Sequence, residues 1–157
     1  MKLFILLLIS TSVMQAQDFS LSSAYHLNRQ SSYLGATLSA NVMTWNNRKV
    51  IVRGVFSYLS GTTDVGGDNT TPASRMEIGL ESKNTMITGN ALFNVIDAGY
   101  VYSRVDMVRG DLQAAVRETG FMFAFGLGTR IADPVSILGK YVTGRDNGLR
   151  LVLEVDF

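Results

Sequence analysis

The last nine residues of the chain alternate apolar and polar side chains, and this alternation constrains the fold more than any other feature. Successive side chains of a β-strand point to opposite faces. Apart from Val152, which breaks the pattern, one face of this segment is therefore apolar and the other charged. The apolar face consists of Leu149, Leu151, Leu153, Val155 and Phe157, and the charged face of Arg150, Glu154 and Asp156. Such a strand must place its apolar face against a protein core or against lipid.

The first 16 residues have the composition of a secretory signal peptide. Lys2 precedes the apolar run Leu3–Ile9 and the weakly polar segment Ser10–Gln15, an order typical of such peptides. The apolar run is too short for a transmembrane helix, which needs about 20 residues. We expect cleavage after Ala16, with residues 17–157 as the mature domain. A small residue is also expected at the third-last position of the signal peptide, where this chain has Met14, so cleavage one or two residues away stays open.

Composition excludes several classes of function. Loss of Lys2 leaves 13 basic against 13 acidic residues, and the basic residues are spread along the chain without a cluster, so we expect no nucleic-acid partner. The chain has no cysteine, which excludes disulfides and thiolate metal sites. The segment Asp64–Asn69 offers oxygen ligands for calcium, but its spacing matches no metal-binding loop, so a solvated turn is expected. We therefore predict no metal and no cofactor.

Alternation with a period of two recurs along the mature chain and predicts an all-β fold of eight strands. The fifth strand is interpreted as one long strand, interrupted near Asp97–Gly99. The alternation in the second strand points Trp45 inward. The predicted strands are Asp18–Leu27, Ser32–Trp45, Val50–Leu59, Arg75–Lys83, Met86–Met107, Phe121–Ile131, Val135–Thr143 and Leu149–Phe157.

The predicted connections alternate between short and long, as in barrels that have short periplasmic turns and longer external loops. The Arg145–Gly148 hairpin is the strongest turn signal. Tyr25, Tyr58 and Tyr141 would lie near the outer interface and Phe19 and Phe157 near the inner one. The short connections are Asn46–Lys49, Lys83–Thr85 and Ala132–Pro134, and the long ones are Ser60–Ser74 and Val108–Glu118, of which Asp111–Arg117 could instead be a helical turn.

Ionisable side chains share the face opposite the apolar stripe. On a lipid-facing surface each would cost about 2 to 4 kcal/mol at mid-membrane, and an eight-stranded barrel encloses just enough space for side chains to fill. We therefore expect a structural charge network that plugs the lumen. Its predicted members are Arg53, Glu77, Glu81, Arg130, Lys140, Arg150, Glu154 and Asp156. The alternative is a soluble barrel or sandwich with a solvated charged face, against which the apolar face of Phe121–Ile131 argues.

His26 is the only histidine and carries the alternative of an enzyme, because small outer-membrane barrels that modify lipid acyl groups use a histidine with a serine. Ser20 and Ser22 share its face, but they lie roughly 13 Å or more away along the strand. A catalytic partner would have to come from another strand. We favour a hydrogen-bonding role for His26 and assign no catalytic residue.

The ending on Phe157 resembles the carboxy-terminal signal of bacterial outer-membrane barrels, carried here by Leu151, Leu153, Val155 and Phe157. By this strand, its even strand count, size and loop asymmetry, the chain resembles small barrels of the outer membrane protein X and outer membrane protein A type. The resemblance implies an eight-stranded antiparallel up-and-down transmembrane β-barrel in the cell outer membrane of a Gram-negative bacterium. It further implies a non-enzymatic protein that contacts outer-membrane lipid and the barrel-assembly machinery. Its loops would support the envelope or bind an unidentified surface ligand or partner, although they are shorter than the protruding sheets of some adhesins of this type.

Overall fold

The computed structural model describes residues 19–45, 49–65, 69–87, 92–109, 112–144 and 147–157. The expected signal peptide, residues 1–16, lies outside the described residues. No helix among the described residues is long and apolar enough to cross a membrane.

Eight antiparallel strands close into a barrel in which each strand pairs with its neighbours in sequence and β1 pairs with β8. The predicted all-β class, strand number and up-and-down order are confirmed. The strands are β1 Phe19–Asn28, β2 Ser31–Trp45, β3 Val50–Asp64, β4 Thr70–Thr85, β5 Leu92–Arg109, β6 Leu112–Ala132, β7 Val135–Gly144 and β8 Gly148–Asp156.

The alternation in sequence becomes an inside and an outside of the barrel. In β8, Arg150, Val152 and Glu154 are buried, whereas Leu149 and Leu151 are exposed on the outer surface. Soluble proteins bury apolar residues and expose charged ones, and this barrel does the opposite on all its sides. Its outer surface therefore carries an apolar belt. The belt includes Leu21, Leu27, Leu34, Leu38, Phe56, Ile78, Leu80, Ile96, Phe121, Phe123, Phe125, Leu127, Leu149, Leu151 and Leu153.

The barrel has two unlike ends. The terminus end holds Phe19, Phe157 and the connection Asp133–Pro134, and the opposite, loop end holds the connections that follow β1, β3, β5 and β7. Strands β5 and β6 have 18 and 21 residues, whereas β7 and β8 have 10 and 9. Since these strands share the terminus end, the longer pair projects beyond β7 and β8 at the loop end.

The predicted long loops are wrong over most of their length. Strands β3 and β4 pair as far as Asp64 and Thr70, and β5 and β6 pair as far as Arg109 and Leu112. The strand segment from Leu112 replaces the alternative helical turn. The predicted short turn Lys83–Thr85 is also wrong, because these residues belong to β4. The extension of β3 and β4 is composed mainly of small and polar residues, and that of β5 and β6 mixes Val116 with Arg117 and Glu118, so both lack the alternation that identifies the other strands.

Two details of strand phase also differ from prediction. Trp45 is 70% exposed on the outer surface, because a bulge between Asn41 and Met43 shifts the register of β2 against β3. Val42 and Met43 consequently both lie outside although they are neighbours. Strand β5 begins at Leu92, after the predicted start at Met86, and it continues without a break through Asp97–Gly99.

Trp45 is the only tryptophan, so its fluorescence tests the bulge directly. We expect lipids brominated near the headgroups to quench its emission in vesicles. An indole on the outer surface of the barrel, at the terminus end, lies at the membrane interface. Trp45→Phe should abolish the signal. Equal emission with and without brominated lipid would contradict the outward position.

Candidate functional site

The middle of the barrel interior is occupied by one lysine between two carboxylates. Lys140 Nζ on β7 donates to Glu81 Oε2 on β4 at 2.5 Å and to Asp97 Oδ2 on β5 at 2.8 Å. All three side chains are less than a tenth exposed. An ammonium group has three donors, which suits it to joining two acids. This cluster therefore connects β7 across the lumen to β4 and β5, which are not its neighbours in the sheet.

A second cluster lies toward the terminus end. Arg53 Nη1 donates to Glu154 Oε1 at 2.9 Å, and Arg53 Nη2 donates to Asp156 Oδ1 at 3.2 Å. Lys83 Nζ donates to the same Glu154 oxygen at 2.5 Å and lies 4.3 Å from the centre of the Phe93 ring. Arg53 Nη1 is also 3.8 Å from Glu81 Oε1, so this cluster continues into the middle one.

A third cluster closes the loop-end half of the interior, where two arginines share one glutamate. Arg150 donates from Nη1 to Glu77 Oε2 at 2.6 Å and from Nη2 to Glu77 Oε1 at 2.5 Å. Arg75 Nε donates to Glu77 Oε1 at 2.5 Å. A two-pronged arginine–carboxylate pair fixes orientation as well as distance, so β4 and β8 are held in one alignment across the barrel.

The three clusters leave little free volume at mid-barrel. The space between Ser57, Glu81, Lys140 and Arg150 amounts to about 20 Å³, room for about one water molecule. A wider recess of about 260 Å³ opens at the terminus end beside Arg53, Lys83 and Arg130. Apolar side chains fill other interior positions. They include Tyr33, Leu59, Phe93, Val95, Val101, Leu138 and Val142.

The residues singled out from the sequence fall in two settings. Six are buried in the three clusters, namely Arg53, Glu77, Glu81, Lys140, Arg150 and Glu154. Arg130 and Asp156 lie at the rim of the terminus end, where their side chains are 32% and 22% exposed and 3.8 Å apart. Arg130 also donates to Asp133 at 3.3 Å, so it belongs to the rim more than to the network.

Three members of the clusters are absent from the predicted network. Arg75 and Lys83 are the two ends of the predicted fourth strand, and Asp97 lies in the predicted interruption of the fifth. A signal existed for two of them, because Arg75, Glu77, Glu81 and Lys83 share one phase of β4. Asp97 shares the phase of the buried Phe93 and Val95, but those apolar neighbours concealed the inward direction.

The residues of the expected assembly signal lie at the end of β8. Leu151 and Leu153 face outward in the apolar belt, and Phe157 is exposed at the terminus end. Val155 lies between these positions and is half-buried. Their role in assembly stays a prediction.

His26 is fully buried inside the barrel near the loop end. Its ring lies 6.1 Å from the ring of Tyr33 and packs so close to Gly148 that a Cβ there would come within 2.9 Å of the imidazole. Ser20 engages Ser39 and Arg53 instead. An imidazole enclosed in this way has no open surface for a lipid acyl group, so the position favours packing over catalysis.

Among the described residues, no group of three or more histidine, cysteine, aspartate or glutamate side chains is arranged to hold a metal ion. The segment Asp64–Asn69, which we expect to be a solvated turn, falls partly outside those residues. Its described ends are joined by a backbone hydrogen bond of 3.1 Å from Val65 N to Asn69 O.

A closed eight-stranded antiparallel barrel with an apolar outside and ion-paired charges inside defines a transmembrane β-barrel of the outer-membrane class. Soluble proteins rarely expose so continuous an apolar surface. The strands close on themselves, so the backbone groups of the membrane-spanning segments can pair with neighbouring strands, as a membrane requires. The architecture therefore places the protein in a bacterial outer membrane.

Solved structures share this fold. The N-terminal β-barrel domain of OprF from Pseudomonas aeruginosa has a TM-score of 0.59 at 14% identity, over 89% of this chain and 97% of that one. Neisserial surface protein A has a TM-score of 0.55 at 14% identity, over 89% and 95%. Ail, the attachment invasion locus protein of Yersinia pestis, has a TM-score of 0.54 at 9% identity, over 89% and 95%. The sequence matches no protein-family model and no curated protein.

Removal of Lys140 should destabilise the barrel strongly. Lys140→Met leaves Glu81 and Asp97 buried without their ammonium partner, and breaking a buried pair in this way costs about 3 to 5 kcal/mol. We expect the urea midpoint of folding in lipid vesicles to fall accordingly. Glu81→Gln with Asp97→Asn in the Lys140→Met background should recover part of the loss.

The matched control is an exposed ion pair. Arg104 and Asp106 lie 2.8 Å apart with both side chains 46% exposed, and such pairs contribute about 0 to 1 kcal/mol. Arg104→Met should therefore barely move the midpoint. Equal shifts of the urea midpoint in the two methionine variants would show that the buried cluster contributes no more to stability than an exposed ion pair.

Proposed function

We propose that this protein is a non-enzymatic outer-membrane barrel with a closed lumen, which binds a surface ligand through the projecting β5–β6 hairpin. The single observation that carries the proposal is the length of this hairpin. It continues for ten residue pairs beyond the point where β7 stops pairing with β6, from Tyr100 opposite Phe121 to Arg109 opposite Leu112.

The hairpin presents a free strand edge. Among the described residues, β6 pairs with β7 only from Met122 onward, opposite Gly144. Earlier β6 residues pair with β5 alone, and those from Ala114 to Thr119 are exposed. A free edge offers unpaired backbone groups to an incoming extended segment. This feature revises the expectation that the external connections are shorter than the protruding sheets of some adhesins.

The outward face of the hairpin also carries a pair of like charges. Arg104 lies directly opposite Arg117. This pair is two residues nearer the tip of the hairpin than the pair of Tyr102 and Thr119. Like charges placed opposite each other on a sheet are destabilising, and the bond from Arg104 to Asp106 at 2.8 Å compensates the charge of Arg104. A ligand with clustered anionic groups would relieve this repulsion. The structural neighbour Ail has been solved in complex with sucrose octasulfate, a heparin analogue.

Heparin-coated beads provide the test of surface binding. We expect cells that display the protein to bind the beads, and Arg104→Ala with Arg117→Ala to remove most of the binding, because both cations lie on one face. Arg29→Ala is the matched control, since Arg29 is an exposed loop-end arginine outside the hairpin. Equal loss in the control, or no binding by the unaltered protein, would contradict a hairpin site for sulfated ligands.

The closed lumen supports the non-porin part of the proposal. The ion pairs of Lys140 and Arg150 cross the interior, and about 20 Å³ remains between them. We expect planar bilayers containing the purified protein to show no large, stable single-channel conductance. A long-lived conductance of porin size would overturn the assignment of the lumen as a plug.

A further inference from the structure

A groove interrupts the apolar belt on the outer surface of β7, β8 and β1. Its volume is about 400 Å³, within the range of about 300 to 1,000 Å³ typical of small-ligand sites. The groove is centred on Gly139, where an added Cβ would meet no atom within 4 Å. Side chains of the belt form its walls. They are Tyr25, Leu27, Tyr141, Leu149 and Leu151.

The groove exists because a glycine occupies an outward position among large side chains. Gly139 lies opposite Leu127 on β6 and Leu151 on β8, and its neighbours on the same face are Ile137 and Tyr141. All four are exposed and stand out from the sheet, whereas Gly139 has no side chain. The surface is therefore concave at this point and convex around it.

The chemistry of the groove is that of hydrocarbon with two phenol groups in its walls. Tyr25 lies in the row of Gly139 and Leu151, and Tyr141 lies in the row of Leu27 and Leu149. Lys140 and Arg150 also line it, but their charged groups lie inside the barrel on Glu81, Asp97 and Glu77. The side chains that face the groove from outside are leucines and two tyrosines. Tyr25 and Tyr141 both lie within a few residues of the loop-end connections, where tyrosines mark the interface in membrane proteins.

We propose that the groove holds one hydrocarbon chain of a membrane lipid as a bound ligand, with the lipid headgroup toward the loop end near Tyr25 and Tyr141. The groove is continuous with the apolar belt, so acyl chains are the molecules that reach it. A concave channel takes a flexible chain more readily than it takes the convex outer surface of a second barrel. Tyrosine hydroxyls placed at the interface can donate to ester or phosphate oxygens of the lipid.

Native mass spectrometry tests this inference on the full mature protein, extracted into detergent from vesicles of phosphatidylethanolamine and phosphatidylglycerol. We expect the unaltered barrel to retain one lipid after detergent stripping and Gly139→Leu to lose it, because the new side chain fills the groove. Gly139→Leu should fold, since its Cβ meets no atom. A heat-dependent mobility shift on SDS gels verifies folding of each variant.

Ala98→Leu is the matched control, because Ala98 is an exposed outward residue on β5, away from the groove. It should retain the lipid. The inference is overturned if the unaltered protein keeps no lipid, if Gly139→Leu keeps it, or if the control loses it equally. Conversion of a dimer into a monomer by Gly139→Leu would assign the groove to a second copy instead. None of these outcomes depends on heparin binding by the hairpin.

Discussion

The exclusion of charge from the lipid-facing surface determines the rest of this structure. A charged side chain at mid-membrane costs about 2 to 4 kcal/mol on the outside of a barrel, so each spanning strand must send its ionisable residues inward. Once inside, they must be paired, because an isolated buried charge is still more costly. Lys140 between Glu81 and Asp97, and Glu77 between Arg75 and Arg150, are the results. The ion-paired interior is thus the counterpart of the apolar belt.

The same clusters specify the register of the strands. A slip of one residue in β4 would turn Glu77 and Glu81 toward lipid and bring the outward Ile78 and Leu80 inside. The middle cluster joins β4, β5 and β7, and the cluster at the terminus end joins β3, β4 and β8. Buried ion pairs add little net stability compared with apolar packing. Their larger contribution here is the penalty that they impose on wrong alignments.

The sequence predicted the fold correctly for the strand segments that have lipid on one face and the lumen on the other. Leu149–Phe157 and Phe121–Ile131 could be recognised because lipid and lumen impose opposite demands. That contrast disappears beyond the belt, which explains why Ser60–Ser74 and Val108–Glu118 were wrongly predicted as loops. The bulge beside Val42 is a local irregularity that no period-two pattern contains, and it reversed the direction of Trp45. The partners within the clusters follow from the register around the closed barrel, so Asp97 could not be assigned to Lys140 from spacing alone.

Release from the lipid constraint also determines where binding can occur. Inside the belt, side chains face either the plug or the lipid, and the missing side chain at Gly139 creates a recess. Above the belt β6 is exposed from Ala114 to Thr119, so Arg104 and Arg117 can lie opposite each other without burial, and this part of β6 needs no partner on its second edge. A free edge at membrane depth would expose backbone groups to hydrocarbon at a cost of several kcal/mol each. Closure of the barrel below therefore permits the open hairpin above, which is where we propose that a surface ligand binds.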